Sequence, residues 1–340
     1  MDTNPLAGVN LGGWLVLESW ITPSLFHGTG AEDEYTFCER AGANESRRLK
    51  HFRDTFVTKQ DFEWLGAHGI QAVRLPVGYW MFGGAAPYAP TVSYVDKAFR
   101  WAQQTGLRVL IDLHGAPGSQ NGRDHSGQKG KTGWGHNPGD IPATLEIIRM
   151  IAKRYGNHPA LLGISLLNEP AVTIPKATLL EYYKKAYTII RELCGDEIWV
   201  VYGDGYLPVR WRKELPPGKF KQVYIDTHHY QVFSPADKLL SARLNLLRTR
   251  WGLPRTLGLP RRHHPVIIGE WSLTLGSAGL RKRSAADQRK LARSYAQLQL
   301  RAFRTTAAWF FWTYRTENDG TWSFRDCVEN GLLKIPGDVF

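Results

Sequence analysis

Short apolar runs alternate along the chain with longer stretches in which apolar residues recur at three- and four-residue spacing. The runs are too short for helices, and the clearest end in polar residues or chain breakers, as strands buried on both faces do. The plainest is Leu161-Leu162-Gly163-Ile164-Ser165-Leu166-Leu167, which closes on Asn168-Glu169-Pro170. A second, Pro265-Val266-Ile267-Ile268-Gly269, closes on Glu270-Trp271. Taken in order, the pattern predicts a first strand with its exit over 8–18, then strands at 70–76, 107–114, 161–167, 198–202, 223–228, 265–270 and 307–312. Helices are predicted over 59–65 behind Thr58 as N-cap, over 94–104 with Gly106 as the stop, and over 141–155, 179–193 and 285–303. A polar segment around Gly28 and Gly30 separates the first strand from the first helix. The segment 235–262 shows helical periodicity in its early part.

Eight strands alternating with helices, with no solenoid repeat and no linker, predict one α/β domain over residues 1–340, a (β/α)8 TIM barrel. In that fold the active site lies at the carboxyl ends of the strands. There the sequence presents Arg74, His114, Asn168-Glu169, His228 with Tyr230, Glu270 and Trp312. Each alone is ordinary, since a lone Glu is commonly salt-bridged and a lone His commonly a satisfied core group. At six strand ends of one barrel they form a candidate site. The loop over 115–138 is long and Gly-rich, as functional loops on that face are. Two carboxylates, Glu169 and Glu270, point to glycoside hydrolysis, one as acid and one as nucleophile.

Composition narrows the classes. Hydrophobic residues make up 43% of 340, enough for a sizeable core, and no apolar run nears the ~20 residues of a membrane helix. No basic region followed by an apolar one precedes the first strand, so the default expectation is cytoplasmic, or secreted if a leader was trimmed away. Cys38, Cys194 and Cys327 lack metal-like spacing and are expected as isolated thiols. No phosphate-cradling glycine motif appears, so neither cofactor nor metal is expected, and the expected state is a monomer.

The charge is uneven. The whole chain carries +12, yet residues 205–304 hold 20 Lys/Arg against 5 Asp/Glu. Arg210-Trp211-Arg212-Lys213, Arg261-Arg262-His263-His264 and Arg281-Lys282-Arg283 are the densest runs. This face could meet an anionic surface such as nucleic acid or lipid headgroups, or serve only as a solvated exterior. No nucleic-acid motif accompanies it, so nucleic acid is not an expected partner.

Asn168-Glu169-Pro170, His228-His229-Tyr230 and Glu270 resemble markers of the glycoside hydrolases of clan A, family 5. The blocks Gly8-Val9-Asn10-Leu11-Gly12-Gly13-Trp14-Leu15-Val16-Leu17-Glu18, Leu113-His114-Gly115-Ala116-Pro117-Gly118-Ser119-Gln120-Asn121-Gly122, His228-His229-Tyr230-Gln231-Val232-Phe233 and Trp309-Phe310-Phe311-Trp312-Thr313 resemble fungal exo-β-1,3-glucanases. The resemblance implies a retaining enzyme acting on a β-glucan or β-glucoside, with Glu169 as general acid/base and Glu270 as nucleophile. It implies that Arg74 and Tyr230 orient the nucleophile, that Asn168 bonds the sugar 2-hydroxyl, and that His114 and His228 surround the −1 sugar. Trp312 would lie under that sugar, and Glu18 and Asp124 would grip hydroxyls at a closed end, which makes an enzyme exo-acting. Phe233 would stand at the entrance. Two departures affect acceptor and linkage: Arg123 replaces a Phe that would clamp against Phe233, and His125 replaces an Asn. A β-1,6-linked or lipid- or sterol-linked glucoside, or glucosyl transfer, is the alternative within enzymes, and a glucan-binding barrel without catalysis the alternative outside them.

Overall fold

The computed structural model describes residues 4–130, 132–276, 280, 283–318 and 320–335. Arg281 and Lys282 of the third basic run lie outside the described residues. Eight parallel strands close into a barrel in sequence order: β1 Leu6–Asn10, β2 Ala72–Gly78, β3 Arg108–Gly115, β4 Leu161–Ser165, β5 Trp199–Gly203, β6 Val223–Gln231, β7 Val266–Leu275 and β8 Ala308–Phe311. Helices cover the outside, so both faces of most strands are buried, and β2 and β4 have no exposed residue. That is why they read as largely apolar runs, broken in β2 by Arg74, rather than as alternations.

The expected helix starts and stops hold where local chemistry sets them. The Thr58 N–H donates to the Asp61 carboxylate at 2.7 Å ahead of the helix Lys59–Ala67. Gly106, at φ +74°, ends the helix Val92–Thr105 in the left-handed conformation that Gly adopts without steric cost.

Three expectations need correction. The first strand ends at Asn10, and Gly12 to Glu18 form turns that lead away from the barrel. The polar stretch beyond it contains the helices Pro23–Phe26, Glu34–Arg40 and Ala43–Thr55. Their buried side rests on a small core of Leu17, Leu25, Phe26, Phe37 and Leu49 and on a buried Arg53–Glu34 ion pair at 2.7 Å. A face built partly from charges leaves little apolar periodicity to read. Finally, β6 and β7 run past His228 and Glu270, which sit beside register shifts within the strands. Such bulges re-aim side chains at a barrel rim.

The barrel floor is closed by Ala72, Leu110, Leu162, Val201, Ile267, Ala308 and Phe310. Gly8 makes room for it, because a Cβ there would stand 2.3 Å from the Phe310 ring. Gly8→Ala is therefore expected to destabilise the fold by about 1–3 kcal/mol through overpacking. A thermal melt with an unchanged Tm would refute the tight floor.

Candidate active site

All the strand-end residues singled out in the sequence converge on one end of the barrel. Arg74 of β2 is fully buried there. Its guanidinium donates to Asn10 Oδ1 at 3.0 Å, to Glu270 Oε1 at 3.2 Å and to Asn168 Oδ1 at 2.8 Å. It also lies 2.9 Å from Asp112 and 3.5 Å from Asp226. Room for the Asp226 carboxylate is made by Gly269, since a Cβ at that position would fall 2.0 Å from Oδ1. Glu270 is 5% exposed, and its second oxygen accepts from the Tyr230 hydroxyl at 2.8 Å.

Glu169 leaves β4 in an unusual way. Its φ of +43° lies in the left-handed region, which a residue with a Cβ adopts at a cost. The long loop after β3 holds it there. Gln120 Nε2 donates to the carbonyls of His114 at 2.7 Å and Asn168 at 2.9 Å, and Asn121 Nδ2 donates to the Glu169 carbonyl at 3.0 Å. The Glu169 side chain then meets two imidazoles: His228 Nδ1 at 2.8 Å on one oxygen and His125 Nε2 at 3.2 Å on the other.

His228 Nδ1 also lies 3.4 Å from Glu270, and its Nε2 lies 3.6 Å from Asp226. Burial opposes its charge, but the Glu270 and Asp226 carboxylates outweigh burial and hold the ring protonated well above the ordinary histidine range. Burial likewise opposes His125, yet the bond to Glu169 and the charges of Glu169, Glu18 and Asp124 hold it at about 9. Burial pushes Glu169 up, and the two imidazoles more than reverse this, keeping its carboxyl well below the usual carboxylate range. His114 is the opposite case. Burial takes it down to about 4, so its neutral ring is oriented by Asp112 at 2.6 Å and offers Nε2 to Asn168 Nδ2 at 3.3 Å.

Among the described residues, Glu169, His228 and Glu270 are the set whose donor atoms lie within 4.8 Å of one another, close enough to hold a metal ion. The His228 ring is cationic and both carboxylates already accept hydrogen bonds, which suits proton chemistry better than metal ligation.

A cavity of about 450 Å³ opens over this cluster, lined by Glu18, Asp124, His114, Glu169, Glu270 and Trp312 among others. The Trp312 ring stacks on His114 at 5.4 Å. Sequence reading gave no role to Trp20, Tyr206 or Trp322, which also line it. Trp20 and Trp322 meet edge to face at 5.3 Å, and Trp322 continues to Tyr230 and Phe233. The available signal was an aromatic two residues after Glu18 and another ten after Trp312. The pairing expected across the entrance is different here: Arg123 lies 6.0 Å over the Tyr206 ring, and Phe233 belongs to the Trp322–Tyr230 wall.

The model of the cellulase family, glycosyl hydrolase family 5, matches residues 38–318. The chain belongs to glycosyl hydrolase family 5. As a family 5 member it is a glycoside hydrolase that retains anomeric configuration. The probable glucan 1,3-beta-glucosidase A of Aspergillus terreus is 34% identical, over 98% of this chain and 89% of its own length. The glucan 1,3-beta-glucosidase of Pichia angusta is 32% identical, over 97% and 86%. In fold, the family 5 barrel described here is similar to the rutinosidase from Aspergillus niger, with a TM-score of 0.78, 21% identity, and 97% of this chain and 98% of that one covered.

Glu18 gives this site a titration signature of its own. It is 3% exposed, one oxygen accepts from Trp20 Nε1 at 2.8 Å, and the other finds no hydrogen-bond partner among the described residues. Burial raises its carboxyl from 4.5 to about 8. A raised acid binds its proton in the folded state where the unfolded chain has lost it. The stability of the protonated form is thus fully present below 4.5 and is lost as pH rises through about 8. Each unit in that window should cost up to ~1.4 kcal/mol, and Glu18→Gln should remove this slope. Parallel Tm–pH curves for wild type and Glu18→Gln between those limits would disprove it.

Proposed function

We propose that this enzyme releases glucose from the non-reducing end of β-1,3-linked glucans or short β-glucosides by double displacement. The observation that carries the reading is the pair of carboxylates, Glu270 buried and Glu169 half-buried, with oxygens within 4.8 Å of each other, one bonded by Arg74 and Tyr230 and the other by two imidazoles. Retaining enzymes place these groups ~5 Å apart so that one can attack while the other protonates. The names of the relatives support the β-1,3 linkage.

In this reading Glu270 attacks the anomeric carbon and becomes an ester. Arg74 and Tyr230 orient it; burial and the nearby Glu169 raise its carboxyl above the ordinary range, and the charges of His228 and Arg74 and the Tyr230 bond work against that rise. Glu169 delivers a proton to the departing oxygen. That proton comes from the imidazoles bonded to it, so the acid is the carboxyl–imidazole unit and not the carboxyl alone. In the second step Glu169 takes a proton from water, and the water oxygen replaces Glu270 at the anomeric carbon. Asn168, held by Arg74 and His114, presents its amide to the 2-hydroxyl, a contact that strengthens in the oxocarbenium-like transition state. Glu18 and Asp124 line the same cavity and would hold the hydroxyls of a terminal sugar, as the exo reading requires.

Mutants separate the two carboxylates. Glu270→Gln should abolish turnover while keeping a native circular dichroism spectrum, because an amide cannot attack. Glu169→Ala should still form the glycosyl-enzyme from substrates with activated leaving groups, then stall, and azide should restore release as the β-glycosyl azide. An α-azide, or a 2-fluoro glucoside label on any residue other than Glu270, would sink the assignment.

The mouth favours a second reading of acceptor choice. Arg123 is exposed and lies over Tyr206, where the fungal enzymes this chain resembles carry a Phe. A guanidinium offers fixed donors to polar or anionic acceptors in place of a stacking face. Arg123→Phe should raise kcat/KM on laminaribiose several-fold, and product analysis on laminarin and gentio-oligosaccharides should show the shift in acceptor. Unchanged kinetics and unchanged transfer products would remove Arg123 from specificity.

A further inference from the structure

We propose that the helical insertion between β6 and β7 docks the enzyme on an anionic lipid bilayer. Of the ten large apolar side chains most exposed among the described residues, five lie on this insertion: Leu239, Leu244, Leu247, Trp251 and Leu259. They are not scattered as single exposed apolar residues normally are.

The helices Ala242–Leu247 and Leu253–Arg261 are joined by a π-helical turn, Arg248–Gly252, with helical backbone throughout, so they form one rod. Ala242, Asn245, Thr249, Leu253, Leu257 and Pro260 face the barrel. At the same three- and four-residue spacing, Leu244, Leu247, Trp251 and Leu259 face outward, 43% to 58% exposed, with Leu239 at 80% in the turn before. The rod therefore carries an outer apolar stripe as well, and among the described residues nothing covers it.

Charge identifies the occupant. Residues 238–262 hold seven Lys/Arg, and no Asp or Glu occurs from 238 to 269. Arg243, Arg250, Arg255, Arg261 and Arg262 are exposed around the stripe, and the Arg250 guanidinium lies 5.1 Å over the Trp251 ring. A second copy of the chain would have to bring the same cationic face against itself across a two-fold interface. Nucleic acid would pair with the arginines but leave the leucines in water. An anionic bilayer takes both, with apolar side chains at the acyl boundary and basic ones among the headgroups. The insertion starts at Pro235, two residues after Phe233 at the cavity mouth, so docking sets the mouth beside the membrane surface.

The test uses the full-length chain and sedimentation with vesicles of phosphatidylcholine, either alone or with about 30% phosphatidylserine. Binding is expected only to the anionic vesicles and should weaken at least ~10-fold as salt rises from about 0.1 M to about 0.5 M. The double substitutions Leu247→Ser with Trp251→Ser, and Arg250→Glu with Arg255→Glu, should each weaken it ~10-fold or more. Turnover of a soluble aryl β-glucoside should be unchanged in both, which shows that they fold. Equal binding to both vesicle types would overturn the proposal, as would undiminished binding by either double variant. So would absence of vesicle binding, whether or not light scattering shows a dimer or duplex RNA is bound.

Discussion

The site depends on a guanidinium held away from water. Stripping solvent from Arg74 is costly, and it is tolerated because Asn10, Asn168, Glu270, Asp112 and Asp226 all present oxygens to it. These partners come from β1, the end of β4, β7, β3 and β6, so one side chain ties together most of the ring. Removing any partner leaves buried charge unmatched. The same contacts that satisfy Arg74 also fix Glu270 and Asn168, the proposed nucleophile and 2-hydroxyl reader, so stability and reactivity cannot be tuned separately here.

Around that centre, the protein assigns protonation states through neighbours rather than through residue type. Three histidines belong to this one site, yet His114 is neutral and His125 and His228 are cationic. His114 is deeply buried with a single carboxylate partner, whereas the other two each face several. Glu18 is a carboxyl that stays protonated near neutrality and so can donate as well as accept. The backbone of Glu169 is shaped by the loop after β3, whose Gln120 and Asn121 amides fasten the end of β4.

How much of this the sequence disclosed follows from what is local. Buried parallel strands announce themselves as apolar runs, and Glu169, His228 and Glu270 could be found because they follow such runs. The helices between Pro23 and Thr55 could not, since their inner face is completed by the Arg53–Glu34 pair, distant in sequence. Trp20, Tyr206 and Trp322 lie in turns without periodicity, and only the folded chain brings them to one wall. His125 was visible as a departure, but its contact with Glu169 joins the loop after β3 to the end of β4.

The closeness of Glu169 and Glu270 has a consequence for timing. While Glu270 is an anion, its field raises the proton affinity of Glu169, its neighbour. In the proposed double displacement Glu270 carries no charge once esterified, and that field disappears. His228, shared between the two at 2.8 and 3.4 Å, is then left to Glu169 alone. Glu169 thus becomes a weaker proton carrier at the moment it has given its proton away, and recovers when the ester is cleaved. The covalent state of one carboxyl sets the protonation of the other, so the alternation between acid and base requires no movement of the backbone.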